Sequence, residues 1–295
     1  MKIDELIERY PTLECCRRSI EYALELMIGS IRTGGKLITC GNGGSAADAQ
    51  HIVGELMKGF ILPRPIERFA PLISARIDQK FPSHAEYLKS NLQGTIPAIS
   101  LVGETALMTA YSNDKAPDLI FAQQLLGLGR AGDVLIAIST SGNSANVIYA
   151  LEVAAAMNIK TIGLTGRTGG KMASIVDVSI NAPADHAHTI QEFHLPIYHA
   201  LCLALEAEFF SVVTRKKYAY SYNVCDQPDE DIFHRQCAAL VKHIPGLEPE
   251  RLLQDVDGTL IQIYQHKRGE IKVVNDRDTW ALYIDSDFDI DPYFE

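Results

Sequence analysis

Apolar and polar positions follow two rhythms along the first two hundred residues. Residues 13–31 place Ile20, Ala23, Leu24, Met27 and Ile31 at helical spacing, and Gly34-Gly35 closes the run. Residues 36–40 follow as a short, almost unbroken apolar strand. Helical patterns over 45–57, 121–128 and 145–157 then interleave with strand-like runs at 98–102, 133–138, 161–165 and 176–180. A glycine-rich turn at 166–170 and a short helix near Met172 separate the last two strands. A long helix is expected over 186–213, with Leu195, Ile197, Leu201, Leu203, Leu205 and Phe209 available for burial. Short apolar strands alternating with helices predict an α/β fold, a doubly wound five-stranded parallel sheet flanked by helices.

Two segments leave this rhythm. Residues 60–94 are mixed in charge and interrupted by Pro63, Pro65, Pro71 and Pro82, so they are expected to be an insertion with some helix near 84–92. After Lys216 the pattern predicts a linker over 218–231 and a helix over 231–243. Apolar runs at 260–264, 271–274 and 280–284, separated by turn residues, then predict a small antiparallel meander. The expected organisation is a main domain over 1–215 and a small C-terminal α+β extension over 216–295.

Composition narrows the class. With 295 residues and 47% hydrophobic content the chain can bury a sizeable core. No run approaches the roughly 20 apolar residues of a membrane span, and Met1-Lys2-Ile3-Asp4-Glu5 lacks the order of a signal peptide. A cytoplasmic protein without a membrane partner is therefore expected. The six cysteines lie without metal-ligand spacing, which favours reduced thiols. A net charge of −10 argues against nucleic acid as a partner, because phosphate backbones select basic faces.

The candidate chemistry begins at two serine-bearing loops between an apolar strand and a helix: Cys40-Gly41-Asn42-Gly43-Gly44-Ser45 and Ser139-Thr140-Ser141-Gly142-Asn143-Ser144. Small residues let the backbone approach an anion, hydroxyls donate to it, and the following helix offers free N–H groups. There is no lysine at a Walker position and no dinucleotide fingerprint, so a sugar phosphate is the expected anion. His51 and Glu55 lie one turn apart on the helix after the first loop and can meet the same atom. Gln191, Glu192, His194 and His199 interrupt an otherwise apolar helix, and buried polar groups need partners. His194 is read as a core histidine, His186 and His188 as caps of the long helix, and Lys58, Arg64 and Arg167 as solvated cations. The Asp255-Val256-Asp257-Gly258-Thr259-Leu260 run is similar to a haloacid-dehalogenase nucleophile motif. Too little chain follows it for such a domain, which needs on the order of 100 residues, so Asp257-Gly258 is read as a turn. Asp285, Asp287, Asp289 and Asp291 read as a solvated acidic tail.

Taken together, residues 41–51 with Glu55, then Asn113-Asp114, 139–144, 163–166, and Gln191-Glu192 with His194 and His199 closely resemble the phosphoheptose isomerases of the sugar isomerase (SIS) family. The resemblance implies conversion of sedoheptulose 7-phosphate to D-glycero-D-manno-heptose 7-phosphate, with Glu55 as general base, His199 as general acid and Asp114 assisting. It places substrate at Asn42, Gly43, Gly44, Ser45, Asn113, Ser139, Thr140, Ser141, Ser144 and Gln191. It also implies zinc at His51, Glu55, Gln191 and His199, and a homotetramer with sites at subunit interfaces. Gln191 and His199 are eight residues apart, about 12 Å of helical rise, so either their side chains converge or another subunit completes the set. The alternative is a non-catalytic SIS module that binds a sugar phosphate or a protein.

Overall fold

A computed structural model describes residues 2–211, 220–226, 230–254, 259–276 and 281–294. The chain divides into two units, Met1–Ser211 and Val212–Glu295.

In the first unit the helices are α1 (Lys2–Arg9), α2 (Arg17–Arg32), α3 (Gly44–Met57), α4 (Ile66–Phe69), α5 (Pro71–Lys80) and α6 (Ala85–Asn91). They continue as α7 (Thr105–Asp114), α8 (Ile120–Leu128), α9 (Ala145–Ala156) and α10 (Ala187–Phe210). The strands are β1 (Leu37–Gly41), β2 (Ala98–Ser100), β3 (Val134–Ile138), β4 (Lys160–Thr165) and β5 (Val178–Asn181), all parallel in the order β2-β1-β3-β4-β5. Helices cover both faces, which explains why β1 and β3 are buried at every position. Alternation along each strand divides the core. Leu37, Val134, Ile136 and Ile138 join the cluster that contains residues of α1, α2, α3 and α10. Ile38, Cys40, Leu135 and Ala137 join the cluster formed with α8 and α9.

The expected five-stranded sheet is present. Three helical features depart from expectation. The helix expected over 13–31 begins only at Arg17, after the 3₁₀ segment Pro11–Cys16, and a further helix, α1, precedes both. Residues 60–94 hold three short helices rather than one. Helix α7 carries no apolar stripe to announce it, and none of its residues is buried. Arg64, read as solvated, is fully buried against Glu206 of α10 at 2.8 Å. Its guanidinium also donates to Leu56 O, while Glu206 accepts from the Phe60 and Ile61 amides. A guanidinium inside a core requires such full pairing.

The second unit is a five-stranded antiparallel sheet, β6 (Tyr220–Asp226), β7 (Glu248–Gln254), β8 (Leu260–His266), β9 (Gly269–Asp276) and β10 (Ala281–Ser286), ordered β6-β10-β9-β8-β7. Helix α11 (Glu230–His243) packs Phe233, Cys237 and Leu240 onto it. The expected linker is thus in part the strand β6, and the sheet has five strands rather than three: β7–β10 form the meander and β6 is added beside β10. Both additions are edge strands, where polar residues and Pro249 are tolerated and the apolar signal is weak. The acidic residues are not a free tail. Asp285 accepts from Ser221 Oγ at 2.6 Å, Asp287 from the Glu270 amide at 2.8 Å, and Asp289 from Tyr222 Oη at 2.9 Å. The Asp257-Gly258 turn lies outside the described residues. Among the described residues no helix is long and apolar enough to cross a membrane.

Candidate active site

The strand order reverses direction between β1 and β3, because the chain leaves β1 for β2 on one side and returns to β3 on the other. Ligands of doubly wound sheets sit at such a point. Gly41 of β1 pairs with Ile138 of β3, so both serine loops leave the sheet side by side at one level. Gly43 has φ +56° and ψ −122°, a conformation that suits a residue without a Cβ, and it turns the chain straight into α3. Neither α3 nor α9 has a side-chain cap at its N-terminus, which leaves first-turn amides for an anion.

Three sets of contacts hold the loops. Asn42 and Asn146 exchange side-chain amide hydrogen bonds at 2.8 and 2.9 Å, tying one loop to the other. Ser139 Oγ and Ser144 Oγ lie 3.0 Å apart across the second loop. Behind that loop the 169–172 turn donates from the Lys171 amide to Asn143 Oδ1 and from the Met172 amide to Gly142 O, both at 3.0 Å. Ser45 and Ser139 are buried, whereas Ser141 and Asn42 are exposed.

A second centre lies further along α3. His51 Nε2 is 3.1 Å from Glu55 Oε1, and Lys58 Nζ donates to Glu55 Oε2 at 2.7 Å. His199 reaches the same place from α10, its ring 5.0 Å from that of His51, 5.1 Å from Tyr198 and 5.4 Å from Phe60, all edge-on. Burial raises the Glu55 pKa, but Lys58 and His51 outweigh it and hold the carboxyl below its ordinary value. Burial, helped by His51, pushes the His199 imidazole down against the opposing pull of Glu55. His199 Nε2 is buried with no hydrogen-bond partner. A carboxylate and an imidazole held together in this way can carry protons to and from one substrate.

The remaining residues singled out in the sequence are dispersed. Gln191 stands over the first turn of α3, where a Cβ on Gly44 would lie 2.5 Å from its Nε2. It therefore sits with the first serine loop, seven residues upstream of His51. Asn113 and Asp114 end α7 and bond to each other at 2.9 Å, and no described hydrogen bond, ion pair or ring contact joins them to either centre within one chain. His194 is wholly buried, donates from Nε2 to Thr165 O at 3.2 Å and has its pKa pushed by burial down to about 4. His186 and His188 stack on each other, and Arg167 pairs with Asp185. Sequence reading missed Asn146, Phe60, Asp48 and Tyr198. The last two bond to each other at 3.2 Å, and Tyr198 Oη lies 2.9 Å from His51 Nδ1. The only signal for them was position, Asp48 one turn before His51 and Tyr198 beside His199.

The donor chemistry of His51, Glu55 and the orphaned His199 Nε2 fits a divalent cation such as zinc, which takes two imidazoles and a carboxylate and keeps a fourth position open. Among the described residues no three His, Cys, Asp or Glu donors already converge on one point. Within one chain the Gln191 side chain lies against Gly44, seven residues before His51 on α3.

Comparison with known proteins gives concordant results. The SIS domain family model matches residues 3–87 and 94–166. The phosphoheptose isomerase of Shewanella loihica is 38% identical over 200 residues, covering 67% of this chain and 87% of that protein. That of Rhodospirillum rubrum is 39% identical over 191 residues, covering 65% and 86%. The solved phosphoheptose isomerase GmhA of Neisseria gonorrhoeae superposes with a TM-score of 0.54 at 35% identity, covering 69% of this chain and 94% of that one. The enzyme from Francisella tularensis gives 0.54 at 32%, with 68% and 91% covered.

Proposed function

The chain belongs to the phosphoheptose isomerases of the SIS-domain family, and from that premise we propose that it interconverts sedoheptulose 7-phosphate and D-glycero-D-manno-heptose 7-phosphate. The observation that carries the reading is the meeting of Glu55 with His51 and His199 on two helices, one of which starts at a phosphate-type loop.

Ser45, Ser139, Thr140, Ser141 and Ser144, with the amides of the two loops, hold the phosphate. Gln191 and Asn42 lie at the same end and contact the sugar. At the reacting end Glu55 takes a proton from C1 of the ketose as His199 gives one to the C2 carbonyl oxygen, forming an enediol. The C1 hydroxyl then returns its proton to His199, and Glu55 delivers its proton to C2. One carboxylate serves both carbons because they are adjacent, and Lys58 and His51 keep it ionised as a base. In this reading His51, Glu55 and His199 would hold zinc, which when bound would supply polarisation of the carbonyl and stabilisation of developing negative charge.

The same reading includes a cytoplasmic homotetramer with sites completed across subunits. Helix α7, with no buried residue in the single chain, carries Asn113 and Asp114 at its end and so is free to bring Asp114 to another subunit's site.

Purified protein incubated with sedoheptulose 7-phosphate, with and without zinc, is expected to form the aldose as read by NMR. Glu55→Gln is expected to abolish turnover and keep inorganic phosphate binding. No conversion under either condition, or equal loss of both properties in the variant, would overturn the assignment. Retained phosphate binding without turnover in the wild type would instead favour the binding-module reading.

A further inference from the structure

We propose that Arg64 and Glu206 are positioning residues for the reaction, a buried clamp that fixes residues 58–64 across α3 and α10 and so sets the Phe60 ring against His199. This rests on the isomerase reading above, in which Glu55 and His199 act on adjacent carbons of one substrate.

The proton transfers use neither charge, yet the pair spans both helices of the reacting end. Glu206 lies seven residues, about two turns, beyond His199 and so shares its face of α10. Leu56, the residue after Glu55 on α3, accepts at its carbonyl from Arg64 Nη1 at 2.8 Å. Arg64 Nε and Nη2 donate to Glu206 Oε1 at 3.1 and 2.8 Å. One guanidinium therefore ties the backbone beside the base to the helix that carries the acid.

The carboxylate has a second set of partners. Its Oε1 accepts from the Phe60 amide at 2.7 Å and its Oε2 from the Ile61 amide at 2.9 Å. Both amides fall in the turn between α3 and α4, so Glu206 takes the place of a helix or strand partner. On the other side the Gly59 amide donates to Gln93 Oε1 at 2.6 Å. A turn held at three successive amides presents the half-buried Phe60 ring to His199 at 5.4 Å, edge-on. Three rings thus surround His199, with His51 and Tyr198 supplied by the helices and Phe60 by the clamped turn.

Stability alone does not call for charges here. Well-packed apolar residues of similar volume are often as stabilising as a buried ion pair. They cannot donate to a carbonyl and a carboxylate at once, nor accept from two amides. What the pair adds is direction, a fixed placement of the end of α3, the turn and α10 relative to one another.

The test separates turnover from stability in the full-length protein. The double replacement Arg64→Met, Glu206→Met removes both charges together and frees the turn. It is expected to lower kcat about 100-fold, the effect of about 1 Å of misplacement, with KM and inhibition by inorganic phosphate within about two-fold of wild type. Phe60→Leu leaves the pair intact and is expected to lower kcat about 10-fold, and Phe60→Tyr, which keeps the ring, to retain it. In metal-free protein at a fixed pH, the carbon-bound proton signals of His199, shifted by the surrounding rings, should move in the double variant and in Phe60→Leu. Wild-type kcat in the double variant, or unmoved His199 signals in it, would overturn the proposal. Should the double variant not fold, wild-type kcat in Phe60→Leu would overturn it equally. A wild type that converts no sugar would sink the isomerase reading instead, and the His199 signals would then decide the clamp by themselves.

Discussion

Replacing Gly142 with alanine tests whether the second serine loop owes its shape to the turn behind it. Gly142 has φ +63°, and a Cβ there would lie 2.0 Å from Gly169 O, 2.6 Å from Gly169 C and 3.0 Å from Gly170 Cα. All three atoms are backbone, so no side chain can swing aside. Ordinary contact begins near 3.4 Å, so the loop and the turn must separate by about 1.4 Å. The left-handed conformation costs an L-residue about 1–2 kcal/mol. Overpacking adds roughly 1–3 kcal/mol. For a unit of this size each kcal/mol lowers Tm by about 2–4 °C, giving an expected fall on the order of 10 °C. The displaced atoms carry Ser141 and Ser144, and a misplacement of about 1 Å costs on the order of 100-fold in rate. Gly142→Ala should therefore lose about that much in kcat/KM and bind inorganic phosphate more weakly, measured by steady-state kinetics and competitive inhibition. Gly127→Ala is the control. It lies in α8 with nothing within 4 Å, and alanine there should stabilise by up to about 1 kcal/mol. A Gly142→Ala protein with wild-type phosphate affinity and Tm would refute the bracing.

Three further outcomes are expected. Arg64→Met leaves Glu206 buried without its cation and should cost about 3–5 kcal/mol in urea denaturation, with part of the loss regained in the Arg64→Met, Glu206→Met double variant. His194 is held neutral down to about pH 4, whereas in the unfolded chain it takes a proton near 6.5, so the unfolded state binds more protons in between. Stability should fall by about 3 kcal/mol as pH drops through that window, and His194→Gln should remove this share of the slope in denaturation midpoints. Asn146→Ala removes the amide pair that links the loops and should weaken inorganic phosphate binding about five-fold, near 1 kcal/mol, with little change in Tm.

The sequence by itself determined the layout of the catalytic unit. Strands buried on both faces are mostly apolar, so β1 and β3 stand out, and loops that must admit an anion favour glycine, asparagine and hydroxyl residues. Both serine loops and the i, i+4 pair His51 and Glu55 were legible for that reason. Elements whose side chains meet no core gave no such signal: α7 has no buried residue, and β6 and β7 are sheet edges. Only the tertiary structure decided which polar residues face each other across α3 and α10. It brought His199 to His51, placed Gln191 over Gly44, buried Arg64 on Glu206, and set Tyr198 between Asp48 and His51. Helical periodicity gives the face of one helix, but the partner of a side chain depends on how two helices are docked. That docking follows from the fit of the whole core rather than from any local run of residues.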